Sequence, residues 1–214
     1  MNNSPRRPAH RPSRRSAVID AAIGLFATYP AEAITVADIA AAADMTAAAV
    51  YYHFPSKEAV LLEGLQSFTR EYLAEVRRLT RETDDPEWVS GLVTESMEWL
   101  EEHRLGATVF FARSSGLDMT IEALRRETRI EQVNIFTRAI RAAAPHRLAA
   151  ADVGVMAVGL VSLLETGAAC WLTQDAVFRG LGRARFLAEA AALAERIIAP
   201  ATSASAPAGI AADG

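Results

Sequence analysis

The fold of this chain is decided by residues 35–58, which read TVADIAAAADMTAAAVYYHFPSKE. Thr35 is a helix N-cap candidate with Asp38 three residues later, a variant of the capping box in which Asp replaces Glu. Asp44 marks the break after that helix, and Thr46 is the N-cap candidate of a second short helix. Two short helices joined by a tight turn are typical of a unit that lays its second helix in the major groove of DNA.

These residues resemble the tetracycline-repressor (TetR) family of bacterial regulators. The resemblance covers roughly residues 14–65 and is most specific at residues 50–58, where a Tyr pair, His and Phe precede the Lys-Glu that opens a helix. It implies an all-α fold of about nine helices. An N-terminal three-helix DNA-binding domain would be followed by a larger helical domain for ligand binding and dimerisation.

The resemblance also implies which side chains contact DNA. Tyr51, His53 and Lys57 match positions that touch the DNA backbone in the family, and each can donate a hydrogen bond to a phosphate oxygen. Phe54 is expected to pack in the core of the three-helix unit, and packing is also the preferred role of Tyr52.

The exposed start of the recognition helix departs from the family pattern, because it carries Ala47, Ala48 and Ala49 where polar residues are common. Alanine cannot hydrogen-bond to a base edge and can only contact a thymine methyl group. We therefore expect specificity to come from methyl contacts, DNA shape and an N-terminal arm. Asp44 replaces the usual glycine of the turn, and Asp tolerates the left-handed conformation.

The N-terminal arm carries most of the positive charge near this motif. Residues 1–15 contain five arginines, three prolines and no acid, whereas residues 16–60 contain one basic residue and five acids. The arm is expected to be disordered alone and to enter the minor groove, the alternative being a merely solubilising tail. The complete predicted DNA-contacting set is Thr35, Thr46, Ala47, Ala48, Ala49, Tyr51, His53, Lys57, Arg11, Arg14 and Arg15.

Composition places limits on the class of protein. Half of the 214 residues are apolar, which is ample for a core, and strand-like alternation is almost absent. The net charge of −4 with a basic arm suits a selective DNA binder. The single Cys170 excludes an intramolecular disulfide and suits the cytoplasm, and no apolar segment of a signal peptide follows the N-terminal charges.

The spacing of apolar residues, and the breaks between the segments that show it, predict the domain organisation. The predicted segments are a disordered basic arm at 1–13, a helix-turn-helix domain at 14–60, a ligand-binding and dimerisation domain at 61–199 and a disordered tail at 200–214. The later helices are predicted at 56–79, up to 102, 105–114, 120–144, 150–172 and 183–198, which we count as helices 4 to 9.

Residues 153–172 form an apolar run with one charge, Glu165. The run is long enough to span a bilayer, but its glycines and its acid argue against a membrane segment. A helix that is apolar all round is also typical of a buried helix in an oligomer. The family resemblance implies a homodimer through helices 8 and 9, which would match a palindromic operator.

A ligand pocket in the C-terminal domain is likewise implied by the resemblance. Together the aromatic residues predict an apolar cavity for a small apolar effector of unknown identity, although ordinary core packing is the preferred role of each one taken alone. Glu165 either contacts the ligand or is paired with an arginine. The predicted ligand-binding set is Trp99, Phe110, Phe111, Arg113, Phe136, Glu165 and Trp171, and Ser115 is a further polar candidate.

The resulting functional prediction is a ligand-responsive transcriptional repressor that leaves its operator when the effector binds. The four histidines lack metal-ligand spacing and no catalytic constellation is present, so no metal, no cofactor and no enzymatic activity are predicted. Two alternatives stay open: an activator or co-ligand-dependent regulator of the same fold, and a helical adaptor without sequence-specific DNA binding.

Overall fold

The computed structural model describes residues 13–81, 88–144 and 148–202, apart from the side chain of Val177. These residues form helices without a strand, as predicted. A 3-10 turn at Ala31–Ala33 follows the first helix, and a π-helical turn at Val109–Arg113 follows the sixth. The helices are α1 Arg14–Thr28, α2 Val36–Ala42, α3 Ala47–His53, α4 Lys57–Leu79, α5 Trp88–Glu102, α6 Arg104–Thr108, α7 Met119–Ala143, α8 Ala150–Thr173, α9 Ala176–Leu181 and α10 Arg183–Thr202.

The chain divides into two compact units, the first ending at Gly64 and the second beginning at Leu65. The division lies within α4, slightly later than the predicted boundary after residue 60. In the first unit, Val18, Ala22 and Phe26 repeat at one-turn spacing on α1 and are buried. Gly64 lies where α4 approaches α1, since a Cβ there would be 2.9 Å from the side chain of Ile23.

The connection between α2 and α3 has the geometry that the sequence predicts. Asp44 adopts a left-handed conformation with φ of 54°. The N–H of Met45 donates to the carbonyl of Ala40 at 2.9 Å, and the N–H of Asp44 donates to Ala41 at 3.2 Å. This pair of bonds is a Schellman motif, which satisfies carbonyls at the end of α2 and turns the chain into α3.

The second unit is a helical bundle in which α7 packs against α8 and α10 packs against both α5 and α8. The predicted helix boundaries agree with the structure to within a few residues, with two exceptions. The predicted helix at 105–114 is divided into α6 and the π-helical turn. The short helix α9 was missed, although Asp175 is a standard N-cap whose carboxylate accepts the N–H of Phe178 at 2.9 Å.

Helix α10 extends further than predicted. It continues to Thr202 with Pro200 inside it, because Ile198 and Ala201 are buried against the rest of the unit. The first three residues of the predicted tail are therefore helical. Residues 203–214, like residues 1–12 of the predicted arm, lie outside the described part of the chain.

Within the described ranges, α8 is the one helix long and apolar enough to cross a membrane, with a mean hydropathy of 1.8. One face of α8 packs in the bundle and includes Leu160, Leu164 and Trp171. On another face, Val155 and Val158 are 73% and 51% exposed. The interpretation of α8 as a helix buried in an oligomer stays a prediction, because a single chain leaves these two valines exposed.

The turn at Asp44 gives a direct test of the local backbone. We expect Asp44→Gly to stabilise the protein by about 0.5 kcal/mol and Asp44→Ala to destabilise it by about 1 kcal/mol, since only glycine avoids the steric cost of positive φ. Chemical denaturation would measure both. Ala43→Gly is the control, because residue 43 has φ of −89° and glycine there should only destabilise. Equal destabilisation by glycine at both positions would contradict this account.

Candidate nucleic-acid interface and ligand cavity

The exposed surface of α3 consists of aromatic and alanine side chains. Val50 and Phe54 are one turn apart and both are buried, which fixes the core-facing side of the helix and confirms the role predicted for Phe54. Tyr51 is 57% exposed and Tyr52 is 86% exposed. The expectation that Tyr52 packs in the core is wrong, because its position after Val50 turns its side chain away from the core.

The N-terminal end of α3 offers little hydrogen-bonding capacity. Thr46 caps the helix, its hydroxyl oxygen accepting the N–H of Ala49 at 3.2 Å. Ala48 is exposed, and Ala47 and Ala49 are half-buried. The surface that these residues present is made of methyl groups and one hydroxyl, as the sequence indicated.

Thr35 and Asp38 form the capping box of α2. The hydroxyl of Thr35 donates to the Asp38 carboxylate at 2.6 Å and accepts the N–H of Asp38 at 3.2 Å. The same carboxylate accepts the N–H of Thr35 at 2.8 Å, and these bonds from Thr35 lower the pKa of Asp38. The hydroxyl hydrogen of Thr35 is thus already used within the protein. The DNA contact of Thr35 stays a prediction, but its hydroxyl has no free hydrogen to donate to a phosphate.

Lys57 holds the connection between α1 and α2 against the start of α4. Its ammonium donates to the backbone carbonyls of Ala31 and Ile34, both at 2.7 Å. Two of its three N–H bonds are therefore committed, and one remains for the predicted phosphate contact. The side chain of His53 is half-buried and packs edge-on against Tyr52, with ring centroids 5.2 Å apart.

Arg15 joins three parts of the first unit, a role that the sequence did not reveal. Its guanidinium forms a two-pronged ion pair with Glu63, with one N–H···O distance of 2.8 Å. It also donates to the carbonyl of His53 at 2.9 Å and lies 4.2 Å from the centroid of the Phe54 ring. The hydrogen bond to Glu63 raises the pKa of Arg15. Arg14 is exposed, and Arg11 lies outside the described residues.

A cavity of about 340 Å³ lies in the second unit between the π-helical turn, the start of α7 and the middle of α8. Three predicted ligand residues, Phe110, Phe111 and Glu165, line it, and so does Ser115. The rest of the lining was not predicted and is charged. It consists of Glu122, Arg125, Arg126 and Arg129.

The other four predicted ligand residues do not line this cavity. Arg113 is exposed, and Phe136 is fully buried in the core. Trp99 stacks on His103 with ring centroids 3.8 Å apart. Trp171 belongs to a separate aromatic cluster with Phe178, at 5.0 Å, and Phe186, at 5.8 Å. These side chains have the ordinary core or surface roles that the aromatic pattern could not distinguish from a pocket.

Glu165 is paired with an arginine. Both oxygens of its carboxylate accept N–H bonds from Arg129 of α7, one of them at 3.3 Å. Near this pair, the buried phenol of Tyr72 accepts a hydrogen bond from Gln132 at 2.9 Å. The pKa of Tyr72 is raised, first by burial and then by the negative charge of Glu165, so its phenol stays protonated.

Arg125 fastens the π-helical turn to α7. It donates to the carbonyl of Phe110 and, at 3.1 Å, to the hydroxyl of Ser114, which itself donates to the same carbonyl at 2.9 Å. Single π-helical turns within helical segments often occur at functional sites. The turn here shapes the wall of the cavity, because Phe110 and Phe111 belong to it.

Comparison with known proteins identifies the first unit. Residues 18–63 match the family described as bacterial regulatory proteins, tetR family. The match lies within the first unit, which ends at Gly64.

Two curated proteins similar to this chain are transcriptional regulators. The transcriptional repressor KstR2 of Mycobacterium tuberculosis is 33% identical over 99 residues, which are 46% of this chain and 50% of the relative. The transcriptional regulator BetI of Agrobacterium fabrum is 30% identical over 131 residues, which are 61% of each protein. The alignments with KstR2 thus span about half the length of those relatives.

Solved structures share the fold of this chain over most of its length. The fatty acid degradation regulator FadR from Bacillus halodurans has a TM-score of 0.68 and 17% identity, covering 89% of this chain and 97% of its own. A transcriptional regulator from Rhodococcus has a TM-score of 0.72 and 16% identity, covering 90% and 100%. At these identities the likeness extends to the fold alone.

Removing the Arg15 contacts should loosen the end of α3. We expect Arg15→Ala to lower the unfolding temperature of the first unit, measured by circular dichroism. Arg15→Lys should restore little of the stability, because lysine lacks the planar fork that pairs with a carboxylate and stacks on a ring. Arg14→Ala is the matched control and should unfold like the wild type. An unchanged unfolding temperature in Arg15→Ala would show that these contacts are not needed.

Proposed function

We propose that this protein is a ligand-responsive transcriptional regulator that binds a palindromic operator as a homodimer and leaves it when a small molecule enters the cavity of the second unit. The observation that carries the proposal is the tetR-family match at residues 18–63. The Schellman turn between α2 and α3 and the exposed aromatic face of α3 support it. The relative KstR2, which is a repressor, favours repression as the mode of action.

The DNA contacts that we propose follow the exposure of the side chains. Tyr51 and His53 keep their predicted phosphate contacts, and Tyr52 joins them because its phenol is open to solvent. Lys57 supplies one N–H, Thr46 a hydroxyl, and Ala47 to Ala49 the methyl contacts. Arg14 contacts a phosphate with the arm, whereas Arg15 supports α3 from within the unit.

Dimerisation is assigned to α8 and α10, the counterparts of predicted helices 8 and 9. Val155 and Val158 of α8 and Leu193 of α10 are large apolar side chains that a single chain leaves exposed. Burying such side chains in a second copy gains roughly 25 cal/mol per Å² of apolar surface. A two-fold dimer presents two α3 helices to the two halves of a palindrome.

The effector acts only through a difference in affinity. It must bind the DNA-free form more tightly than the DNA-bound form, because equal affinity for both shifts nothing. Linkage then requires operator DNA to weaken effector binding by the same factor by which effector weakens DNA binding. Such a protein works where the DNA is, in the cytoplasm.

The operator experiment is a fluorescence-anisotropy titration of the full chain on duplex from its own upstream region, with scrambled duplex as control. We expect Tyr51→Phe to weaken operator binding about tenfold, since it removes one hydrogen bond of about 1.5 kcal/mol to a charged group. Tyr29→Phe is the matched control, because Tyr29 of the same unit is 53% exposed and lies outside α3. Equal, weak binding of both duplexes would contradict the proposal and favour an adaptor.

The arm is tested by the salt dependence of the same titration. We expect deletion of residues 2–12 to weaken binding and to flatten the plot of log affinity against log salt, by about 0.9 for each phosphate that the arm neutralises. Ser13 is retained because its hydroxyl caps α1, accepting the N–H of Ser16 at 3.1 Å. An unchanged slope would mean that the arm neutralises no phosphate.

A further inference from the structure

The charges that line the cavity of the second unit do not balance. Three guanidinium groups, those of Arg125, Arg126 and Arg129, face two carboxylates, those of Glu122 and Glu165. The excess is one positive charge. A cavity of this kind was not expected from the sequence, which predicted an apolar lining and an apolar effector.

Both carboxylates already have partners. Glu165 is held by Arg129 through two N–H bonds. Glu122 accepts the backbone N–H of Gly116 at 2.7 Å and lies 3.8 Å from Arg125. Neither acid is left to attract a cationic ligand, because each sits beside an arginine.

Two of the three arginines also have partners. Arg129 is paired with Glu165, and Arg125 is fixed to the carbonyl of Phe110 and the hydroxyl of Ser114. Arg126 is exposed and makes no hydrogen bond or ion pair to any described residue. The unbalanced positive charge of the cavity therefore lies on Arg126.

The chemistry of the lining selects one class of ligand. A guanidinium presents a planar fork of N–H donors that matches a carboxylate or a phosphate. Phe110 and Phe111, whose rings are nearly perpendicular with centroids 5.0 Å apart, provide apolar surface beside it. A volume of about 340 Å³ is within the range of small-molecule pockets.

We propose that the cavity takes an amphipathic oxyanion, a carboxylate or phosphate ester whose charged end binds Arg126 and whose apolar body lies against Phe110 and Phe111. The assignment rests on the proposed effector-responsive function and replaces the apolar effector with an anionic one. Glu165 limits the affinity, because its negative charge repels the ligand anion and its ion pair with Arg129 keeps that arginine from joining Arg126 at the charged end.

The test is isothermal titration calorimetry of the DNA-free full chain with four probes that share one aromatic body. These are naphthylacetate, naphthyl phosphate, naphthylethanol and naphthylethylamine. We expect at least one anion to bind about tenfold or more tightly than the alcohol and the amine, as charge-assisted hydrogen bonds allow. The ratio between the two anions distinguishes a carboxylate ligand from a phosphate ligand.

Three variants locate the binding. Arg126→Ala should weaken binding of the preferred anion about tenfold, and Glu165→Gln should tighten it by releasing Arg129. Arg141→Ala is the matched control, since Arg141 is an exposed arginine of the same helix that does not line the cavity, and it should bind like the wild type. Equal binding of alcohol and anion, unchanged binding in Arg126→Ala, or binding of none of the probes would overturn the assignment.

The same measurement is separate from the regulatory proposal because it contains no DNA. A protein that binds naphthylacetate through Arg126 but recognises no operator would contradict the proposed regulator and keep the anion site. A protein that binds its operator but shows no preference for anions would contradict the anion site and keep the proposed regulator.

Discussion

Helix α3 is seven residues long and buries only one side chain, that of Val50, so its position depends on what holds its two ends. A helix this short is not stable alone in water. The left-handed residue Asp44 and the cap of Thr46 fix where it begins. The guanidinium of Arg15 binds the carbonyl of His53, where it ends. The orientation of the surface proposed to read DNA is thus set by polar contacts at the helix ends more than by its core.

The features of the first unit that could be predicted from sequence are those whose signals are local. The caps at Thr35 and Thr46 and the left-handed Asp44 each depend on residues within about four positions, and all three are present. The contact of Arg15 with Glu63 joins residues 48 positions apart, and no spacing rule predicts such a pair. The contacts of Lys57 could not be predicted from the sequence either, because its partners are backbone carbonyls, which every residue has.

The cavity, like the first unit, was predicted from the sequence only in part. Its aromatic wall was predicted in part, since Phe110 and Phe111 line it, but Phe136 and Trp171 are core residues of the same type. The arginines of α7 were missed because the helix carries charges all along its exposed face. A signal was present nonetheless: Arg125 and Arg129 are four residues apart, with Arg126 beside them, and so share one side of a helix. Considered together with the isolated Glu165, that cluster indicates an ion pair of the kind that Arg129 and Glu165 form.

The exposed apolar side chains of α8 make the behaviour of the proposed homodimer depend on the concentration of the protein. In the proposed homodimer, Val155 and Val158 are covered by a second copy, so association and stability are linked by mass action. Each halving of the protein concentration then lowers both the fraction of dimer and the resistance of the second unit to unfolding. At low expression the protein would become easier to degrade as well as less able to occupy a two-fold site, which makes its activity depend more than linearly on its own abundance.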